Sequence, residues 1–245
     1  MTRVNPATFE SSKAVLAIDI WSDIACPWCY VGKRRLEAAL AQYPERASVE
    51  IKWHAFELNP AAPRVSNDGA YAERLAKKYG MSLRDAEARI GHLTDLAQKD
   101  GLAFDFDHIR PGNTFDAHRV VHLGAVRGRE GAVKERLLQG YLCEGAAIGE
   151  RDVLVRLGEE AGLDPEEVRA TLASNDFADE VRADEAQARE LGISGVPFFV
   201  LGGRYAVSGA QPVEVFSKAL AQAHAELARQ PVEFGEGAAC GPDGC

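Results

Sequence analysis

The chain has 245 residues, 46% of them apolar, enough for one large domain or for a domain carrying an inserted one. A formal net charge of −9 without any basic stripe argues against a nucleic-acid partner, and no apolar run approaches the roughly 18 residues of a membrane helix. Five cysteines, an odd number, do not make the disulfide framework of a secreted domain, and residues 1–13 lack the apolar core of a secretory signal, so the expected location is cytoplasmic.

Residues 1–13 read as a polar leader. Ala14 to Trp21 is an apolar run, interrupted by Asp19, that predicts a buried strand. Ile24-Ala25-Cys26-Pro27-Trp28-Cys29-Tyr30 follows, and residues 27–43 show a helical pattern with Leu36, Leu40 and Tyr43 on one face. Cys26 then falls at the first turn of a helix, where unpaired N–H groups and the helix dipole favour thiolate, the nucleophile of disulfide exchange. Cys29, one turn on, is placed to attack a mixed disulfide on Cys26. A C-x-x-C at a strand-to-helix junction is the signal of a thioredoxin-like redox site. Half of a zinc site is the alternative; it needs further ligands, and the other close pair is Cys240 and Cys245. Asp19 and Asp23 border the dithiol. A buried carboxylate there can accept the proton of the second cysteine, and a cap or a solvated turn residue is the competing reading of both.

Val49 to Phe56 alternates apolar and polar and predicts a second strand, with His54 on its polar, solvent side. Leu58 to Val65, with Pro60 and Pro63, reads as a linker. From there to about residue 191 the pattern is helical throughout. Ser82 opens one helix with Leu83, Ala86, Ile90, Leu93 and Ala97 on its apolar face, closed by Gly101. Thr114 is placed to cap the next, Val133, Leu137, Leu138 and Tyr141 mark another, and Asp152 and Asp164-Pro165 start two more. Cys143, beside Leu142, reads as a core thiol. Phe177, Val181, Ala188 and Leu191 line a last helix of this region, stopped by Gly192. Gly195 to Leu201 is then a strand, Gly202-Gly203 a hairpin turn and Arg204 to Val207 the return strand. Pro212 opens a final amphipathic helix. Pro197 lacks a ladder donor and belongs at an edge or bend; the residues alone favour an ordinary trans bond before it.

The order strand–helix–strand, a long helical stretch, then hairpin–helix gives the fold class: α/β, a thioredoxin fold with a large all-helical insertion. Its thioredoxin-like part is discontinuous, 14–63 and 192–230. The insertion is 64–191 and the tail 231–245.

Asp19-Ile20-Trp21-Ser22-Asp23, Cys26-Pro27-Trp28-Cys29-Tyr30, Gly32-Lys33, the Asn113–Arg119 stretch, Glu144-Gly145, Gly192 to Phe199 and Val207 to Pro212 together resemble the DsbA family of thiol–disulfide oxidoreductases. The match is to its FrnE-like branch, related to 2-hydroxychromene-2-carboxylate isomerases, and covers about residues 14–230. The resemblance implies that Pro197 is cis and faces the cysteine pair, with the Val196 backbone pairing with a bound substrate strand. It also implies that Asn113, Thr114 and His118 line the substrate groove with Trp28. From the residues alone, Asn113 and Thr114 are equally a turn and a cap, and His118 and Arg119 surface residues. Pro-Trp between the cysteines, in place of the Pro-His of strongly oxidising relatives, implies a less oxidising site. Cys26, where the isomerase-type relatives carry serine, favours redox chemistry.

The expected activity is thiol–disulfide oxidoreductase, with protein disulfides or dithiols as substrates and a cellular thiol reductant or oxidant as partner. No tightly bound cofactor and no metal are expected; glutathione is the expected co-substrate, and the oligomeric state is open, a homodimer included. Cys240 and Cys245, in a Gly-rich tail, read as a second redox pair that exchanges electrons with Cys26 and Cys29, with incidental thiols or a zinc ligand pair as the competing readings. The competing classes are a glutathione-dependent isomerase or transferase, which would not need Cys29, and a non-enzymatic zinc-binding or holdase protein.

Overall fold

A computed structural model of the chain describes residues 15–66 and 69–227. The leader and the tail, with Cys240 and Cys245, lie outside the described residues. The first unit is β1 (Leu16–Ser22), α1 (Pro27–Ala41), a short 3-10 turn at Arg46–Ser48, and β2 (Val49–Ala55). The insertion contributes α2 (Tyr71–Tyr79), α3 (Leu83–Lys99), α4 (Phe115–Val126), α5 (Glu130–Glu144), α6 (Arg151–Glu160), α7 (Pro165–Ala173) and α8 (Ala178–Glu190). The chain then returns to the sheet with β3 (Phe198–Leu201) and β4 (Tyr205–Ser208) and ends its described part with α9 (Val213–Leu227).

The four strands are ordered β2-β1-β3-β4, with β1 parallel to β2 and antiparallel to β3. Ile18 therefore meets Ile51 on one side and Leu201 on the other. Leu16, Ile18 and Ile20 are buried in one core with Leu36 and Leu40 of α1 and Phe216 and Leu220 of α9. Trp21, one residue on and so on the opposite face, packs with Ala188 of α8 and with Ile193. Gly202 and Gly203 both take positive φ (59° and 67°), the backbone a two-residue hairpin between right-twisted strands requires.

Four expectations are corrected. Residues 100–114 are not helical: Leu102, Phe104 and Phe106 are buried in alternation, and the Asp105 N–H donates to the Leu142 carbonyl at 2.8 Å. A period of two inside a helical region marks an extended segment plugging the core. Leu83 is 46% exposed, leaving Ala86, Leu93 and Ala97 as the buried face of α3. Phe177 does not line α8 but precedes it at φ 62°, and Leu191 is exposed beyond its end. The strand at Gly195 begins only at Phe198, because Pro197 has no N–H to give to the ladder.

The linker is fastened to the insertion. Ser66 N–H donates to the Pro111 carbonyl and Asn113 N–H to the Pro63 carbonyl, both at 3.0 Å. Gly149 permits this approach, since a Cβ there would lie 1.5 Å from the Arg64 carbonyl oxygen. Gly149→Ala is expected to cost about 1–3 kcal/mol through this overlap, read as a lower urea midpoint at unchanged slope. An unchanged midpoint would show that the linker is not pinned there.

Candidate active site

β1 runs into the site at its C-terminal end, and Cys26 is the N-cap of α1, with its backbone N–H donating to the Asp23 carbonyl at 3.3 Å. That is the positive end of the helix dipole. Cys26 is 5% exposed, and Cys29, one turn on, is 1% exposed; both are free thiols. The Cys26 thiol donates to the Val196 carbonyl at 3.6 Å, and the Val196–Pro197 bond that follows is cis. α1 approaches this segment closely because residue 32 is glycine: a Cβ there would sit 3.0 Å from Pro197 Cγ and 3.1 Å from Phe199 Cζ. The Pro197 carbonyl accepts from Gly209 N–H at 2.8 Å, and Arg35 of α1 donates to the Ala210 carbonyl at 2.7 Å. The Val207–Pro212 motif thus buttresses the segment opposite Cys26.

Cys29 is held protonated by its surroundings. Burial pushes its thiol well up, and the neighbouring Cys26 adds to this, while the Lys134 charge and the Asp23 backbone N–H pull the other way.

Asp23 is a buried carboxylate and not a solvated turn residue. Its Oδ2 accepts from Leu58 N–H at 2.8 Å and its Oδ1 from Ala25 N–H at 3.3 Å. His118 Nε2 lies 3.4 Å from Oδ1, and the Thr114 hydroxyl adds a bond. Burial opposes its charge, yet these partners together hold the carboxyl below its usual range. Burial pushes His118 down, so it stands as a neutral imidazole whose Nε2–H donates to Asp23. Neither His118 nor Arg119 is a surface residue: both are buried, and Arg119 binds Asp116 and the carbonyls of Thr171, Ser174 and Asp176.

Asp19 and His54 belong to a second cluster. His54 was expected at the surface, but α8 and α4 cover that end of the sheet, and it is buried and stacked on Trp21. Its Nε2 meets Asp19 at 2.8 Å and its Nδ1 meets Asp184 at 2.7 Å, while His122 reaches Asp184 at 3.0 Å. Both ring nitrogens face carboxylates, so both carry protons.

A cavity of about 660 Å³ opens beside Cys26 between the thioredoxin part and helices α2 and α3. Trp28, 40% exposed, stands at its rim, and Thr114 and Tyr71 form part of its wall. Arg74, Lys78, Arg89 and His92 also line it, against a single carboxylate, Asp23, among the described residues. Asn113 serves a structural turn: it donates to Glu57 at 2.9 Å and its Oδ1 accepts from Phe115 N–H at 2.8 Å, the capping bond that Thr114 does not make. Cys143 is half-buried against the core, and burial pushes its thiol up to about 11. Among the described residues, no group of three or more His, Cys, Asp or Glu side chains is arranged to hold a metal ion, and no helix is long and apolar enough to cross a membrane.

Lys134 escaped the sequence reading. It is wholly buried with its ammonium against the Ser22 carbonyl at the end of β1, and burial pulls that ammonium down to about 8. The signal was present: Lys134 stands four residues before Leu138 and seven before Tyr141, on the apolar stripe of α5. Its neighbour Glu135 grips α1, accepting from the Tyr30 hydroxyl and the Lys33 ammonium, each at 2.5 Å, and from Arg34.

A family model described as a DSBA-like thioredoxin domain matches residues 17–221. A crystal structure of a probable DsbA oxidoreductase from Streptomyces coelicolor is 48% identical, covering 94% of this chain and 98% of that one, with a TM-score of 0.84. YwbO of Bacillus subtilis, an uncharacterized protein, is 29% identical over 208 residues, 83% of this chain and 94% of its own. The cytosolic disulfide reductase DsbM of Pseudomonas aeruginosa, solved with GSH, shares the fold at 20% identity and a TM-score of 0.55, covering 86% of this chain and 97% of that one.

The His54 cluster makes stability depend on pH. Burial opposes the His54 charge, but the Asp184 and Asp19 bonds outweigh it and raise the folded value above the ordinary 6.5 or so. Its contribution is full below about pH 6.5 and is lost as pH rises through that raised value. Asp184 is depressed, despite burial, by His122 and His54, so its contribution is full above about pH 4 and fades as pH falls. His54→Gln should lower the melting temperature most between about pH 4.5 and 6.5, by roughly 2–4 °C for each kcal/mol lost, with the gap narrowing towards pH 9. A gap constant across that range would contradict the charged pairing.

Proposed function

The chain belongs to the DSBA-like thioredoxin family, and from that premise we propose that it is a thiol–disulfide oxidoreductase working through Cys26 and Cys29. One observation carries the reading: the Cys26 thiol stands at a helix N-terminus, beside the Val196 carbonyl and the cis Pro197, with Cys29 buried behind it. In the reducing direction the Cys26 thiolate attacks a substrate disulfide. One substrate sulfur leaves as thiolate and the other stays bound to Cys26. Cys29 then gives up its proton and attacks Cys26 Sγ, releasing the second sulfur and closing a Cys26–Cys29 disulfide. Two electrons pass from the dithiol to the substrate, and the reverse sequence oxidises a substrate dithiol. The raised Cys29 thiol keeps the second cysteine from competing in the first step.

The co-substrate in this reading is a small anionic thiol of the glutathione type, seated in the cavity beside Cys26. The support is charge: the cavity gathers Arg74, Lys78 and Arg89 on a chain of net charge −9. The tail pair Cys240 and Cys245 is read as a second dithiol that reloads the first, and the cytoplasm as the compartment.

Insulin-disulfide reduction with dithiothreitol tests the core of this. Cys26→Ser is expected to abolish catalysis, and Cys29→Ser to stall as a trapped mixed disulfide detectable by mass. Full activity in Cys29→Ser would instead favour monothiol, transferase-like chemistry. Arg74→Glu with Arg89→Glu should raise KM for glutathione disulfide about tenfold and leave attack on a neutral disulfide within about twofold; equal effects on both would remove the anion site. Replacing Cys240 and Cys245 by serine should slow multiple turnover while sparing the first; unchanged turnover would remove the relay.

A further inference from the structure

A buried ammonium without a carboxylate against it is costly, and Lys134 is one. Its Nζ donates to the Ser22 carbonyl at 3.3 Å and lies 5.3 Å from the centre of the Trp53 ring. No carboxylate oxygen among the described residues comes within ion-pairing distance. The charged and titratable groups that face it are Cys29 of α1, Asp23 after β1, Glu130 of its own helix, His118 of α4 and Asp184 of α8. The Ser22–Asp23 peptide lies between lysine and thiol: its carbonyl accepts from Lys134 at 3.3 Å, and its Asp23 backbone, like the Lys134 charge, favours the charged form of the Cys29 thiol. A cation on the carbonyl end polarises the peptide and strengthens its N–H as a donor to a developing thiolate.

We propose that Lys134, a residue of the helical insertion, is a positioning residue for the resolving step, stabilising the Cys29 thiolate through its charge and the Ser22–Asp23 peptide. This rests on the oxidoreductase reading above. In the step it serves, the Cys29 S–H bond is broken, its proton goes to the departing thiolate by way of solvent, the Cys29–Cys26 S–S bond forms and the Cys26–substrate S–S bond breaks. Asp23 is less suited to hold that proton, because its partners favour its charged form. Cys26, which borders the open cavity, does not need Lys134 in the first step.

The test separates the steps with 5,5′-dithiobis(2-nitrobenzoate) on the full-length reduced chain, with Cys143, Cys240 and Cys245 replaced by serine so that only the site thiols report. The first nitrothiobenzoate released reports attack by Cys26, and the second reports resolution by Cys29. In Lys134→Met and Lys134→Gln the first phase should stay within about twofold of the parent, which also shows that the site is folded. The second should slow about tenfold at pH 7, the consequence of one unit in the thiol pKa, with the gap closing at alkaline pH. Glutamine keeps a donor to Ser22 without the charge, so a Gln variant at parent rates would overturn the role of charge. A second phase unchanged in Met, or both phases slowed alike at every pH, would overturn the proposal while the dithiol chemistry stands. A parent chain that releases no first equivalent would instead sink the oxidoreductase reading, and this proposal with it.

Discussion

The buried charge of Asp23 is the constraint on which the site depends. A carboxylate taken out of water must find donors, and these come from three separate stretches: Ala25 in the turn before α1, Leu58 after β2, and Thr114 and His118 at the start of α4. Moving the insertion away from the sheet would strand that charge, at a cost of several kcal/mol. The thioredoxin part and the insertion are therefore fastened to each other directly beneath the cysteines. The site is a joint between two parts of the chain, not a motif displayed on one of them.

α5 supplies the second fastening. Successive residues on a helix point about 100° apart, and α5 uses two neighbours for two tasks. Glu135 points to α1 and collects Tyr30, Lys33 and Arg34, which draw its carboxyl, against the cost of burial, down to about 2. Lys134 points the other way, under Ser22. The helix that carries both cysteines is thus held from its first turns by the insertion, while Gly32 lets its other side press on Pro197 and Phe199. Cys26 is fixed between two packed surfaces, and the open side is the cavity with its basic lining.

Much of this was legible because much of it is local. Strand β1, the cysteine pair at the start of α1, the Asp164 cap, whose Oδ1 accepts from Glu166 N–H at 2.9 Å, and the Gly202-Gly203 hairpin each depend on neighbours in sequence. His54 was misjudged because alternation tells which face of a strand a residue takes, not what covers that face; its cover, Asp184, lies 130 residues on. Leu102, Phe104 and Phe106 were absorbed into a helical reading because helical patterns flank them on both sides, although their own spacing of two was there to be read. Lys134 was passed over because a lysine on an apolar stripe is commonly explained by its stem lying on the surface with its head in water. Only the tertiary structure shows the head group pointing inward.

The two halves of the site are also separated in time. Cys26 and Val196 are 170 residues apart in the chain, and β1 lies between a partner strand close behind it in sequence and another far downstream. At about 5–20 residues per second of synthesis, on the order of ten to thirty seconds pass between them. During that interval the newly made β1 has one bare edge, and its two thiols lack the segment that will shelter them. Until residue 196 has been made, the two cysteines stand without the carbonyl and the proline that later face them, open to any partner that arrives first.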